Sequence, residues 1–150
     1  KGISQLCGDL VYNGLVQGIL FQADYFRDPN KITSAGYEQH SQLALWNNEI
    51  AGKENATYKE NFVSVDQYVM VKAMKDTMVF PNEGEHWGHF KDGTYDAIPM
   101  NQTKWYQGDT FGLQTMDKAG KIHFETTAGN HLQFTETQLF GWIDKYFPSA

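Results

Sequence analysis

Two positions carry the residue types of general acid–base chemistry and stand where such groups can meet. Asp76 follows the run Tyr68-Val69-Met70-Val71-Lys72 in a polar turn, Lys75-Asp76-Thr77. His131 follows a second run, Lys121 to Thr126, in the loop Ala128-Gly129-Asn130-His131. The first run is rich in β-branched and aromatic residues and predicts a buried strand; the second emerges from the turn Asp117-Lys118-Ala119-Gly120 as another. Adjacent parallel strands send their following loops to one side of a sheet, where catalytic groups gather. A carboxylate meeting an imidazole there fixes the ring tautomer and stabilises the imidazolium formed on proton abstraction. Taken singly, each residue has an ordinary use, Asp as a turn former and His as part of a loop surface.

The elements that must position this pair read as an open α/β sheet. Residues Asp9 to Phe26 place apolar side chains at near-helical spacing, interrupted by two glycines, and predict a helix or two short helices near the core. Asp28 to Gly36 is turn-like, and Glu38 to Ile50 predicts a short helix carrying Leu43, Leu45 and Trp46. Phe80 to Pro99, with Pro, Gly and polar residues, predicts a long loop with little regular structure. Asp109 is a candidate cap for a helix running through Met116. The clearest element is the last. Thr135 and Gln138 form a capping box, Leu139, Ile143 and Tyr146 follow on one face, and Pro148 stops the helix.

Composition sets the outer limits. In 150 residues, 41% are apolar and 15% of the chain is aromatic, enough to pack a core and too much for disorder. A net charge of −6 argues against nucleic acid or an anionic membrane surface as partner, since both need clustered Lys and Arg. No apolar run is long enough for stable membrane insertion as a spanning helix. The chain opens Lys1-Gly2-Ile3-Ser4 without Met, as expected of a processed or trimmed product. A single cysteine, Cys7, is either a buried or free thiol or a bridge to another chain. Two sequons, at Asn55 and Asn101, are glycosylation candidates and favour a lysosomal or secreted route.

Several ordered segments then resemble the palmitoyl-protein thioesterase family. Gln67 to Lys72 with Lys75-Asp76-Thr77-Met78-Val79 is similar to its segment holding the triad aspartate, and Gly129-Asn130-His131-Leu132-Gln133 to its segment holding the triad histidine. Phe111 to Gly120, Phe21 to Pro29 and Glu54 to Lys59 follow the same pattern, and Glu85 to Phe90 follows it more loosely, so the similarity runs from about Tyr12 to Phe147. The resemblance implies an α/β-hydrolase fold, a mostly parallel sheet flanked by helices, with Asp76 as triad acid and His131 as general base. The order Asp then His agrees with Ser, Asp, His in that fold. The chain departs from the pattern at Lys75, at Phe80 before Pro81, and at Asn130 beside the histidine.

No serine sits in Gly-x-Ser-x-Gly; Ser4, Ser34, Ser41, Ser64 and Ser149 all lack that setting. By the resemblance, the nucleophile and oxyanion-hole groups belong to the N-terminal half of the fold, and residues 1–150 are the C-terminal half of one domain. Half a sheet leaves an open edge and an exposed apolar face, so the expected partner is that N-terminal half, a second polypeptide cut from one precursor. The implied substrate is a long-chain fatty acyl thioester, and the implied triad needs no cofactor. Leu20, Phe21, Met78 and Val79 are acyl-groove candidates, with ordinary core packing as the alternative. An acyl-CoA or lipid ester substrate, a non-catalytic lipid-binding or storage protein, and an inactive fragment stay open. His86 and His89, with Glu83 and Glu85 nearby, imitate a metal cluster, but they lack the i, i+4 spacing of a zinc helix, so no metal is expected there. Trp87, Trp105 and Tyr106, without a basic groove, predict core packing in place of a base-stacking platform.

Overall fold

A computed structural model describes residues 10–19, 23 and 25–148. Its centre is a parallel pair of strands. β1 (Tyr68–Ala73) and β4 (Ile122–Thr127) run side by side with Tyr68 opposite Ile122 and Ala73 opposite Thr127. The connection between them carries a 3₁₀ turn (Asn82–His86), a short antiparallel pair β2 (His89–Phe90) and β3 (Ala97–Ile98), and a second 3₁₀ turn (Met100–Gln102). Two short helices then complete it, α5 (Lys104–Gln107) and α6 (Leu113–Lys118). Helices α1 (Gly14–Ile19), α2 (Ala35–His40), α3 (Gln42–Trp46) and α4 (Ala56–Val63) precede β1, and α7 (Glu136–Tyr146) follows β4. The chain is α/β, with a small parallel sheet and helices, in keeping with part of an α/β-hydrolase fold.

Local signals explain the breaks between helices. Ser41 ends α2 by donating its N–H to the Tyr37 carbonyl and starts α3 by accepting the Ala44 N–H on its hydroxyl. The single helix expected over 38–50 is therefore two short ones, and the buried side chains are Tyr37 and Ala44 while Trp46 is exposed. α4 went unread in the sequence because its face is mostly polar; its signal was Asn55, whose side chain accepts the Thr57 N–H. The capping box of α7 is present as expected, Thr135 and Gln138 each satisfying the other's backbone.

Four expectations need correction. Between residues 9 and 26, α1 is the helix described in full, with Leu10 and Ala23 also helical; Tyr12 and Ala23 are buried, but Leu15 and Ile19 of α1 are exposed rather than near the core. The 80–99 segment contains the first 3₁₀ turn and the β2–β3 pair, held by backbone pairing that composition does not reveal. The N-cap position of α6 is Gly112, in the left-handed region, and not Asp109; the Asp109 carboxylate nonetheless satisfies the first turn from further upstream, accepting the Thr115 N–H and hydroxyl at 3.0 and 2.6 Å. β1 is also less buried than expected, with Met70 and Ala73 its only buried members.

Two apolar clusters result. One gathers Met70, Trp105, Phe111, Leu113, Met116 and Ile122 around the sheet, and α4 joins it through Phe62, whose ring meets Phe111 edge-on at 5.1 Å. Trp87 and Tyr106 pack against this cluster, so the aromatic-rich stretch serves the core. The other gathers Tyr12, Tyr37, Ala44 and Ile50. Arg27 ties the two together. Its buried guanidinium pairs with Glu49 at 3.1 Å and Asp92 at 3.0 Å and lies over the Trp105 ring at 4.9 Å. A large apolar surface is nonetheless left to solvent, including Phe140, Ile143 and Phe147 at the C-terminal end and Phe80 beside the first 3₁₀ turn.

Two substitutions test this packing in denaturant melts of the intact protein. Arg27→Met removes one partner from a buried charge cluster and is expected to destabilise by about 3–5 kcal/mol. Gly112→Ala is expected to cost at least ~1–2 kcal/mol from the left-handed backbone alone. The φ there is +96°, and a new Cβ would stand 2.4 Å from Val63 Cγ1, so the Val63 side chain or its helix must also give way. A Gly112→Ala protein as stable as the parent would refute this account.

Candidate active site

The parallel ladder extends past its strands. Met74 N–H donates to the Thr127 carbonyl at 2.9 Å and Lys75 N–H to the Gly129 carbonyl at 3.0 Å, so the loops after β1 and β4 leave the sheet together. Asp76 and His131, 55 residues apart in sequence, meet at its C-terminal end, with Nδ1 at 2.7 Å from Asp76 Oδ2. The other carboxylate oxygen accepts the N–H groups of Met78 and Val79 at 2.6 and 2.7 Å. The Asp76 side chain is closed off from solvent, whereas 30% of the His131 side chain is exposed.

This environment determines the charge. Burial by itself would raise the Asp76 carboxyl, but the Val79 N–H, the His131 ring and the Met78 N–H outweigh it and bring the group down to about 2. A depressed carboxylate lends stability that is complete above its unfolded value near ~4 and is lost as the pH falls toward the folded one. Asp76 is therefore an anion throughout the neutral and mildly acidic range. With Nδ1–H donated to that anion, Nε2 is the nitrogen left for proton transfer.

Asn130 holds the two loops in register. Its side-chain oxygen accepts the Thr77 N–H at 3.0 Å and the His131 N–H at 2.7 Å, and its amide nitrogen donates to the Thr77 hydroxyl at 3.1 Å. The sequence marked Asn130 only as a departure beside the histidine. Its bridging role depends on strand register, which residue type does not show.

Glu85, weighed in the sequence only as a neighbour of His86 and His89 in a possible metal cluster, is the third titratable group here. It sits in the first 3₁₀ turn, accepts the Ala73 N–H at 2.9 Å, and brings a carboxylate oxygen within 4.8 Å of both the Asp76 and His131 ligating atoms. These three could in principle face a cation. However, two ligands of one tetrahedral zinc stand about 3.3 Å apart, and the 2.7 Å separation of Nδ1 and Oδ2 is that of a hydrogen bond. His86 and His89 are not brought together on a ligand: their ring nitrogens bond the backbone carbonyls of Glu125 and Phe90 respectively.

The remaining sequence candidates are placed unevenly. Met78 is 74% exposed and Val79 half-buried, both directly after Asp76, while Leu20 and Phe21 lie outside the described residues, as do Cys7, Ser4 and Ser149. Among the described serines, Ser34 and Ser41 cap helices and Ser64 donates to the Asn61 carbonyl, so none of them faces His131. Asn55 and Asn101 are both exposed. Two open cavities of about 360 and 350 Å³ exist among the described residues, lined in part by Lys72, Glu83 and Asp117 or by Arg27, Glu38 and Glu54. Apolar side chains line them as well, Met100 and Phe124 in the first and Ile32 and Trp105 in the second, but neither contains Asp76 or His131.

Known proteins share this arrangement of segments. The family model for palmitoyl protein thioesterase matches residues 2–131. Palmitoyl-protein thioesterase 1 of Caenorhabditis elegans is 39% identical over 150 residues, which is 98% of this chain and 49% of that protein. Palmitoyl-protein thioesterase 3 of Dictyostelium discoideum is 31% identical over 130 residues, 86% of this chain and 44% of that one. Lysosomal thioesterase PPT2-B of Xenopus laevis is 28% identical over 109 residues, 70% and 36% respectively. The chain thus spans about half, or less, of the length of the curated relatives it matches. Matched along most of its length by the family model and nearly end to end by one relative, the chain belongs to the palmitoyl protein thioesterase family.

Proposed function

We propose that the intact protein hydrolyses long-chain fatty acyl thioesters of the palmitoyl-protein type, and that this chain supplies the acid and base of its Ser-Asp-His triad. The observation carrying the reading is the 2.7 Å contact from His131 Nδ1 to a shielded, doubly amide-bonded Asp76 carboxylate. That pairing leaves one imidazole nitrogen, partly open to solvent, as a proton acceptor.

The proposed steps are those of a serine hydrolase. A serine hydroxyl attacks the thioester carbonyl carbon while His131 Nε2 takes its proton, and Asp76 stabilises the imidazolium. The tetrahedral adduct collapses with cleavage of the C–S bond, and the imidazolium protonates the leaving thiolate. Water then attacks the acyl-serine, His131 again accepts the proton, and the fatty acid leaves as the serine is restored. Met78 and Val79, beside the acid, and Leu20 and Phe21 upstream, are the proposed acyl contacts. At ~0.8 kcal/mol per buried methylene, groove length alone can read chain length.

The serine comes, in this proposal, from the N-terminal half of the precursor, held as a second chain. The apolar side chains exposed along α7, with Phe140 57% accessible, and the two-stranded sheet support such a complement. Two relatives named lysosomal thioesterases and the exposed sequons at Asn55 and Asn101 support a lysosomal, glycosylated protein.

Intact mass spectrometry of native material, with and without reduction, is expected to reveal a companion chain carrying Gly-x-Ser-x-Gly. A companion in which that serine is replaced would favour a lipid-binding protein. Against a palmitoyl thioester, His131→Ala and Asp76→Asn in the intact protein are each expected to lower kcat by about 10⁴-fold. Circular dichroism checks that the variants still fold. Turnover surviving His131→Ala would sink the triad assignment, and faster hydrolysis of acyl-CoA or oxyesters would redirect the substrate.

A further inference from the structure

The position of Glu85 is explained neither by the triad nor by the turn that carries it. The first 3₁₀ turn is already fastened to the sheet by other groups: Glu83 to Lys72 at 3.1 Å, the Asn82 amide to the Ala73 carbonyl at 3.2 Å, and His86 to the Glu125 carbonyl at 2.9 Å. Glu85 adds a bond to the Ala73 N–H, whose residue ends β1 three positions before Asp76. That contact occupies one of its oxygens and holds the carboxyl beside the pair, with a carboxylate oxygen within 4.8 Å of the Asp76 and His131 side-chain atoms.

We propose that Glu85 is a positioning residue of the acid–base pair: a neutral carboxylic acid that donates its proton to Asp76, so that two carboxyls carry one negative charge facing His131. This rests on the triad reading above for its effect on turnover, but not for its effect on His131. Two carboxyls this close to each other disfavour double ionisation, and the proton resides on the one with the weaker set of donors. Asp76 has two backbone N–H groups and the imidazole; Glu85 has the single Ala73 N–H. Consistent with this, burial and then the Asp76 charge raise Glu85 against the lowering effect of Ala73 and His131, whereas Asp76 is lowered. The other charged neighbours on the turn do not reverse the choice, because Glu83 is paired with Lys72 and His86 is bonded to a carbonyl. A donor on Asp76 spreads its charge and fixes the carboxylate plane that aims His131, without placing a second anion beside the imidazole.

The test compares Glu85→Gln with Glu85→Ala in the intact protein, by NMR titration of the His131 ring and by kcat and KM on a palmitoyl thioester. Gln reproduces the neutral acid, since its oxygen can accept from Ala73 and its NH₂ can donate to Asp76. Glu85→Gln is therefore expected to leave the His131 titration midpoint and kcat within about twofold of the parent. Glu85→Ala, with the donor gone, is expected to raise the midpoint and lower kcat about tenfold with KM little changed. A midpoint lowered by about one unit or more in Glu85→Gln would mean that an anion had been removed, and would overturn the proposal. Midpoints unmoved in both variants would overturn it equally, leaving Glu85 a turn residue. The NMR arm reads out even where no thioester is cleaved, so failure of the hydrolase reading and failure of this one are told apart.

Discussion

The parallel pairing of β1 with β4 is the constraint on which the site depends. Strand side chains alternate faces with a period of two, so a one-residue slip would turn each side chain to the opposite face. With Tyr68 against Ile122, Met70 and Ile122 both enter the core, and the ladder continues far enough for Lys75 to bond Gly129. Only in that register do the two following loops leave side by side, with Asn130 reaching Thr77 and Nδ1 of His131 reaching Asp76. The chemistry and the core are two readings of one alignment.

What surrounds the pair keeps a shielded charge tolerable. An isolated buried carboxylate would protonate, but Asp76 is met by two amide N–H groups from its own turn and by a ring N–H. The same logic works at larger scale around Arg27, where Glu49 and Asp92 converge on one guanidinium and join the upstream helices to the loop after β2. In both places the partners come from distant segments, so the ionic contact and the chain topology enforce each other. The apolar surface remaining on α7 and near Phe80 lacks such closure among the described residues.

Much of the fold was legible from residue type and spacing. The β-branched run at 68–71, the turn at 117–120 and the capping box at 135–138 are local statements, and strands and helix stand where they point. The misses share a cause. The serine that both ends α2 and starts α3, the 3₁₀ turn at 82–86 and the exposure of Leu15 and Ile19 depend on what packs against the segment, which no local window contains. Asp109 resembled a cap because caps and other carboxylate–amide contacts use the same residue types.

By itself, the sequence determined the α/β class, the two strands, the last helix and, through its ordered motifs, the family, and it singled out Asp76 and His131 as the pair proposed to act as acid and base. Those follow from propensity, capping and motif order, all carried by neighbouring residues. Only the tertiary structure decided that the two side chains meet, that Asn130 bridges their loops and that Glu85 brings a second carboxyl within 4.8 Å of the pair. Each of those depends on a distance between segments separated in sequence, and the strand register sets that distance once the core has packed.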